Sequence, residues 1–360
     1  VMYLCGRFVH GRLWRYLLSV SMIGLLIIGS YWLKKDSADG RLLIWRCGLE
    51  MVKDAPWTGH GIGSFEAKYM DYQADYFKEY GSQNRYAMLA DNVKQPFNEY
   101  LGVLINFGIV GLALLLGIVG ALVYCYRQNP TQEKKIALYA LLSIGVFSFF
   151  SYPFTYPFTW MVTSLAVLML TADYLKRIKI GTWGRNIMYS AVLMGFFLGQ
   201  VRLGARTQSE RSWQEASVLA LCHSYDVSLK HRFEDNPYFL YNYAAVFTEA
   251  KEYEKALKVA LECRKYWADY DLELLLGDIY REKKDYKQAE EYYMSASYMC
   301  PSRFLPLYQL YELYKCIGNT EKASELAKIL LEKPAKVNSA LIKRIRYMVK
   351  KDGLINSVRR

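Results

Sequence analysis

The sequence predicts an all-α chain: a polytopic helical membrane domain followed by an α-solenoid. Three observations carry this. The mean hydropathy of -0.02 hides a split, with long uncharged runs up to about residue 204 and charged, periodic sequence from 206 to 360. Uncharged apolar runs of the first half reach or approach the length a helix needs to cross a bilayer. In the second half, Ala256, Ala289 and Ala323 occupy equivalent places in a unit that recurs after 33 and 34 residues.

The membrane domain is expected over 1–204, with spans at 16–33, 100–126, 136–152, 156–172 and 186–201. The uncharged stretch from Ile136 to Ala172 is too long for one crossing at about 1.5 Å of rise per residue. Pro153 and Pro157 mark the turn that divides it. Arg7, Arg12 and Arg15 precede the first span, Arg127, Lys134 and Lys135 follow the second, and Lys176, Arg177, Lys179 and Arg185 follow the fourth. The positive-inside rule places these clusters in the cytoplasm, and the loop 34–98 and everything after the fifth span outside it.

Within that loop, "DGRLLIWRCGLEMVKDAP" has helical periodicity, with Leu42, Trp45, Leu49 and Val52 as its apolar stripe. Asp39 is the expected cap and Pro56 the stop. Arg46 and Glu50 stand at i,i+4 and can pair. Arg41 then faces outward, either as an ordinary interfacial arginine or as a forked donor for a lipid diphosphate. His60 is a candidate base or a histidine that bonds backbone in its turn. Asn98 and Glu99 sit where the second span emerges, and Glu99 is a second candidate base.

"GHGIGS" has the spacing G-x-G-x-G, follows a helix and precedes no Walker lysine, which argues against a nucleotide loop. Gly59, Gly61 and Gly63 read instead as a turn that lets backbone approach closely. The charge of +12 comes without zinc-finger, RNP or Arg-arm patterns, so nucleic acid is not an expected partner. The seven cysteines form no C-x-x-C pair and read as buried thiols. His223 and His231 make no metal pattern, and no metal or cofactor is expected.

The order "DGRLLIW", "DAPWTGHGIGSFEAKY", "PFNEYLGVLINFGIVGLALLL" resembles the O-antigen ligase and polymerase superfamily over roughly 15–175. The resemblance implies a metal-independent, inverting transferase of the bacterial inner membrane. It implies an undecaprenyl-diphosphate-linked glycan as donor, and a lipid or protein acceptor or repeat units to polymerise. It matches Arg41 to the family arginine, the three glycines to the glycine turn, and Asn98 and Leu101 to the later "His-Asn-x-x-Leu" element. Arg41, Glu99 and His60 are thus the catalytic candidates, and Arg46, Gly59, Gly61, Gly63 and Asn98 the substrate-binding ones. Phe97 stands where the family has histidine, so Glu99 or His60 substitutes, or the chemistry differs, or the protein is inactive. Gly108 keeps a family glycine, while Asn106 and Phe107 replace a frequent acidic residue. The family has more spans than this sequence, and an N-terminal truncation is expected.

Residues 205–236 read as an entry helix and linker, 237–335 as repeats, and 336–360 as a basic capping helix and tail. "EYEKAL", "DYKQAE" and "NTEKAS" give tetratricopeptide periodicity, which suits a protein partner. The alternative to transfer is therefore a non-catalytic, membrane-anchored repeat scaffold for envelope-glycan assembly.

Overall fold

The computed structural model describes residues 31–352 except 83, 178–181, 220–229 and 231, together with isolated earlier positions (17, 21, 22 and 29). The expected span 16–33 lies for the most part outside the described residues; Cys5, Cys222, His223 and His231 lie wholly outside them. The described residues are predominantly helical, with no strand among them, and the all-α expectation holds there.

Helix α1 (Lys35–Asp54) and α2 (Ser64–Tyr80) form the loop region and pack on the start of α3 (Glu99–Gln128). α3 is the one described helix long and apolar enough to cross a membrane. It is broken at Gly108, whose φ of 62° and ψ of -161° are not helical. The break divides two environments. Leu101 and Ile105 before it are buried against the loop, whereas Leu114, Leu116 and Ile118 after it are 59–65% exposed. Ile109–Gln128 alone spans about 30 Å, which suffices for a bilayer core.

The break also turns the first segment aside. α4 (Gln132–Phe147) returns alongside α3 after a three-residue link and rises about 24 Å, whereas a straight α3 would rise about 45 Å. Yet the Glu99 amide donates to the Ser148 carbonyl at 2.9 Å, and the Tyr100 hydroxyl to the Gly145 carbonyl at 2.8 Å. Both contacts require the Glu99–Phe107 segment to fold over toward the end of α4. A short 3-10 turn at Pro153–Thr155 leads into α5 (Pro157–Arg177), as the two prolines predict. Lys134 and Asp173 then pair at 2.7 Å and tie α4 to α5. α6 (Thr182–Leu219) begins before the expected fifth span and runs on well past it.

Three details of α1 differ from the sequence-based expectation. Asp39 is not a cap, because the chain is already helical before it; it is buried and accepts from the Tyr31 hydroxyl at 2.9 Å. The buried stripe is Leu43, Ile44, Cys47 and Met51, while Leu42 and Leu49 are exposed. The face turns that way because Gly48 admits α3 closely: a Cβ there would stand 3.0 Å from Leu101. Glu50 pairs with Lys53 at 2.8 Å, and Arg46 instead lies over the Tyr76 and Tyr80 rings at 5.2 and 5.0 Å.

The C-terminal half is a run of antiparallel helix pairs: α7 (Pro237–Glu249) with α8 (Tyr253–Arg264), α9 (Tyr270–Glu282) with α10 (Tyr286–Met299), and α11 (Leu305–Cys316) with α12 (Thr320–Glu332). Ala256, Ala289 and Ala323 are all fully buried. Gly277 lies against the Tyr293 ring, leaving no room for a Cβ. α13 (Ala340–Lys351) closes the series. Cys47, Cys263 and Cys300 are buried free thiols, as expected, but Cys125 is only half-buried and Cys316 is exposed; burial pushes the Cys47 and Cys263 thiols up to about 12.

The loop and the helix pairs share one core. Tyr69, Met70 and Phe77 of α2 belong to the same apolar cluster as Tyr293, Met299 and Leu310. Polar contacts reinforce it. The Gln73 side chain donates to the Met299 carbonyl at 2.6 Å, Asn92 to Asp269 at 2.7 Å, and Arg303 to Asp91 at 2.7 Å. Arg264 bridges Asp71 of α2 and the buried Glu273 of α9. Burial pushes the Glu273 carboxyl up, and Arg264 opposes that shift.

Gly108→Ala should cost at least ~2 kcal/mol, because alanine would be forced into a positive φ that its Cβ disfavours and that Cβ would overlap the Trp57 carbonyl. Gly117→Ala, in open space on the same helix, should leave the detergent melting curve unchanged. Arg264→Met strands the Glu273 carboxylate and should cost about 3–5 kcal/mol. It should also expose the 80–95 segment to protease.

Candidate functional site

The site is built on the break in α3. An unbroken helix would bond the Ile109 amide to Ile105 and the Val110 amide to Asn106. Here the segment 56–61 enters the gap and takes all four partners. The His60 amide donates to the Ile105 carbonyl at 2.8 Å and the Gly61 amide to the Asn106 carbonyl at 3.0 Å. The Pro56 carbonyl accepts from Ile109 at 2.8 Å and the Trp57 carbonyl from Val110 at 3.2 Å. These four groups are thus all paired, where an orphaned group would be costly beside lipid.

This exchange explains the glycines. Gly59, Gly61 and Gly63 have φ of 69°, 97° and 78°. A Cβ on Gly59 would stand 2.5 Å from the Phe107 amide nitrogen, and one on Gly108 would stand 2.7 Å from the Gly59 nitrogen. The two segments touch backbone to backbone at Gly59, as the turn reading predicts, whereas a Cβ on Gly61 or Gly63 would meet open space and only their positive φ favours glycine. Ser64 closes the corner by donating to the Asn106 side-chain oxygen at 2.9 Å.

His60 is a brace within this device. Its Nε2 lies 2.7 Å from the Met51 carbonyl, which can only accept, so that nitrogen carries the proton. Nδ1 therefore holds the lone pair, and the Lys68 ammonium donates to it at 3.2 Å. The nitrogen a general base would use is already occupied.

Arg41 and Glu99 lie at the other end of the first α3 segment. The Arg41 guanidinium sits over the Phe97 ring at 5.6 Å, and no carboxylate among the described residues is within ion-pair distance of it. Phe97 has φ of 52°, a left-handed conformation rare for an aromatic residue. Its ring meets Tyr152 edge-on at 5.1 Å. Asn98 caps α3 by accepting from the Leu101 amide at 3.0 Å. Glu99 is half-buried; one carboxylate oxygen accepts from the Phe154 amide at 3.0 Å, and no described cation pairs with it.

The predicted site residues thus fall into two groups. Arg41, Asn98 and Glu99 gather around Phe97. His60 and the glycines gather at Gly108, and since His60 contacts Met51, ten residues beyond Arg41 on α1, it stands about 15 Å from that group along the helix. Arg46, exposed and stacked on tyrosines, joins neither. Lys68 was missed by sequence reasoning, although it follows Ser64 by four residues and so shares its helix face. The Phe154 amide that holds Glu99 is a backbone group and left no signal in the sequence.

Residues 2–116 match the family model described as O-antigen ligase. The O-antigen ligase match covers both groups of site residues and ends inside the lipid-length segment of α3. It supports glycan transfer or polymerisation in general, a lipid-linked glycan as the class of substrate, and a membrane setting. No curated protein matches the chain.

His60→Ala removes the link between α1, the turn and α2. It should cost about 1–3 kcal/mol by leaving the Met51 carbonyl unpaired. Limited proteolysis within 55–63 should rise several-fold while the circular-dichroism helix signal stays.

Proposed function

We propose that the protein transfers or polymerises an undecaprenyl-diphosphate-linked glycan at the periplasmic face of the bacterial inner membrane. The observation that carries this reading is Arg41, a guanidinium with no carboxylate partner among the described residues, lying over Phe97 two residues before the half-buried Glu99, all within an O-antigen ligase match. Arg41 steadies the diphosphate as charge develops on the leaving group, by two parallel N–H donors. Glu99 takes the proton of the acceptor hydroxyl, because its second oxygen has no cation to neutralise it. His60 positions the turn and carries no proton in this scheme.

The membrane domain is multi-pass over 1–204, and the helix pairs of 237–335 are tetratricopeptide repeats that bind a protein partner. The loop 34–98 and the repeats lie on one side of the membrane, a placement supported by their common core. The basic clusters around Arg127, Lys134 and Lys135 mark the other side as cytoplasmic.

Phe97 favours one second reading. A phenyl ring in the family's histidine position suits a non-catalytic scaffold that holds glycan-assembly partners through its repeats.

Arg41→Ala and Glu99→Gln should each reduce surface-glycan transfer in a deletion strain by about 100-fold or more, with the protein still folded in the membrane. His60→Ala should reduce it by less. Wild-type transfer by the Arg41 and Glu99 variants, with loss only on deleting the repeats, would establish the scaffold instead.

A further inference from the structure

α13 carries five basic residues and no acid: Lys343, Arg344, Arg346, Lys350 and Lys351. One face holds it to the fold. Ile345 and Val349 are buried, and Arg346 donates to the Lys333 carbonyl at 2.6 Å and lies over the Phe304 ring. The nearest acid in sequence, Asp352, is turned inward to Lys315 at 2.6 Å and Tyr311 at 2.9 Å. Lys343, Arg344, Lys350 and Lys351 are exposed, and no described carboxylate is within ion-pair distance of them.

The outward face is not simply charged. Leu341, Arg344, Met348 and Lys351 recur at steps of three and four, and Lys343, Tyr347 and Lys350 form a second row beside them. Leu341 is 51% exposed, Tyr347 64% and Met348 37%, with Val337 just before the helix at 71%. Lysines and arginines flanking a strip of leucine, methionine and tyrosine make an interfacial face, with an amphipathic ring suited to the headgroup level.

The position of this face fits a bilayer. Asp91 precedes the start of α3 by eight residues and pairs with Arg303 at 2.7 Å. Its carboxyl is held below the usual range, although burial opposes this; Arg303, the Asn92 amide and the charge of Lys336 outweigh it. Arg346 of α13 lies over the ring of Phe304, the neighbour of Arg303, so α13 stands close to the segment that leads into the lipid-length helix.

We propose that the exposed face of α13 rests on an anionic lipid surface, with Leu341, Tyr347 and Met348 in the interface and Lys343, Arg344, Lys350 and Lys351 on the headgroups. The helix is then a second membrane attachment for the helix pairs, at the end remote from α6. Nothing in this depends on glycan transfer.

The test places a photo-crosslinking phenylalanine derivative at Tyr347 of the full chain. The protein is reconstituted into vesicles of phosphatidylglycerol and phosphatidylcholine, or of phosphatidylcholine alone. Each basic residue near an anionic surface is worth about a five-fold change in attachment. Lipid adducts should form in the anionic vesicles, fall at least about ten-fold in the neutral ones, and fall similarly in 0.5 M salt. The combined variant Lys343→Gln, Arg344→Gln, Lys350→Gln and Lys351→Gln, which changes only exposed side chains, should lose them with its melting curve intact. Equal adducts in both lipids, or adducts to another protein or a second copy in place of lipid, would overturn the proposal.

Discussion

The four backbone hydrogen bonds exchanged across Gly108 hold the rest of the site in place. A helix that breaks beside lipid must find new partners for two amides and two carbonyls. Here the segment 56–61 supplies all four, so the break and the turn stabilise each other. The consequence is geometric. Once α3 is broken, its first segment folds over to the end of α4, and Glu99 reaches Ser148 and Phe154. Without the break, the same residue would project about 20 Å past that contact, by the helix lengths involved.

A second constraint works at a distance. The loop that carries Arg41 and the glycine turn is also the floor on which α9 and α10 pack. Arg264 is the clearest joint, since it bridges a loop carboxylate and one buried in the helix pairs. Loop and helix pairs therefore share one packed core, and a displacement of the helix pairs would bear on the α1–α2 pair directly. That coupling is the physical route by which a partner on the repeats would bear on the site.

The sequence made much of this visible, and the limits were local. Helical content and the close approach of backbone at Gly59 follow from spacing and residue type, whereas Asn98, read as a substrate-binding candidate, turns out to cap α3. The buried face of α1 did not, because Leu42 and Leu49 fit a helical stripe as well as Leu43 and Cys47 do. What decided between them was Gly48 facing Leu101, a contact across 53 positions that periodicity does not encode. Arg46 was misread for a similar reason. The i,i+4 rule offered Glu50, but two tyrosine rings from α2 lay closer, and Lys53 took the carboxylate. The separation of His60 from Arg41 was also hidden, since both sit in one short loop and only the course of α1 sets them apart.

Phe97 shows why the position matters more than the residue in it. Its left-handed backbone costs about 1–3 kcal/mol and persists because both neighbours are fixed. The Pro96 carbonyl accepts from the Trp45 indole at 3.0 Å, and Asn98 is committed to capping α3. With both ends held, any side chain at 97 is aimed at the same place, between Arg41 and Tyr152. A histidine there would bring a titratable ring to the Arg41 guanidinium. Phenylalanine keeps the shape and the cation contact but brings no proton. In the proposed scheme, proton transfer at this end of the helix then falls to the next ionisable group along the chain, Glu99, one residue beyond the cap.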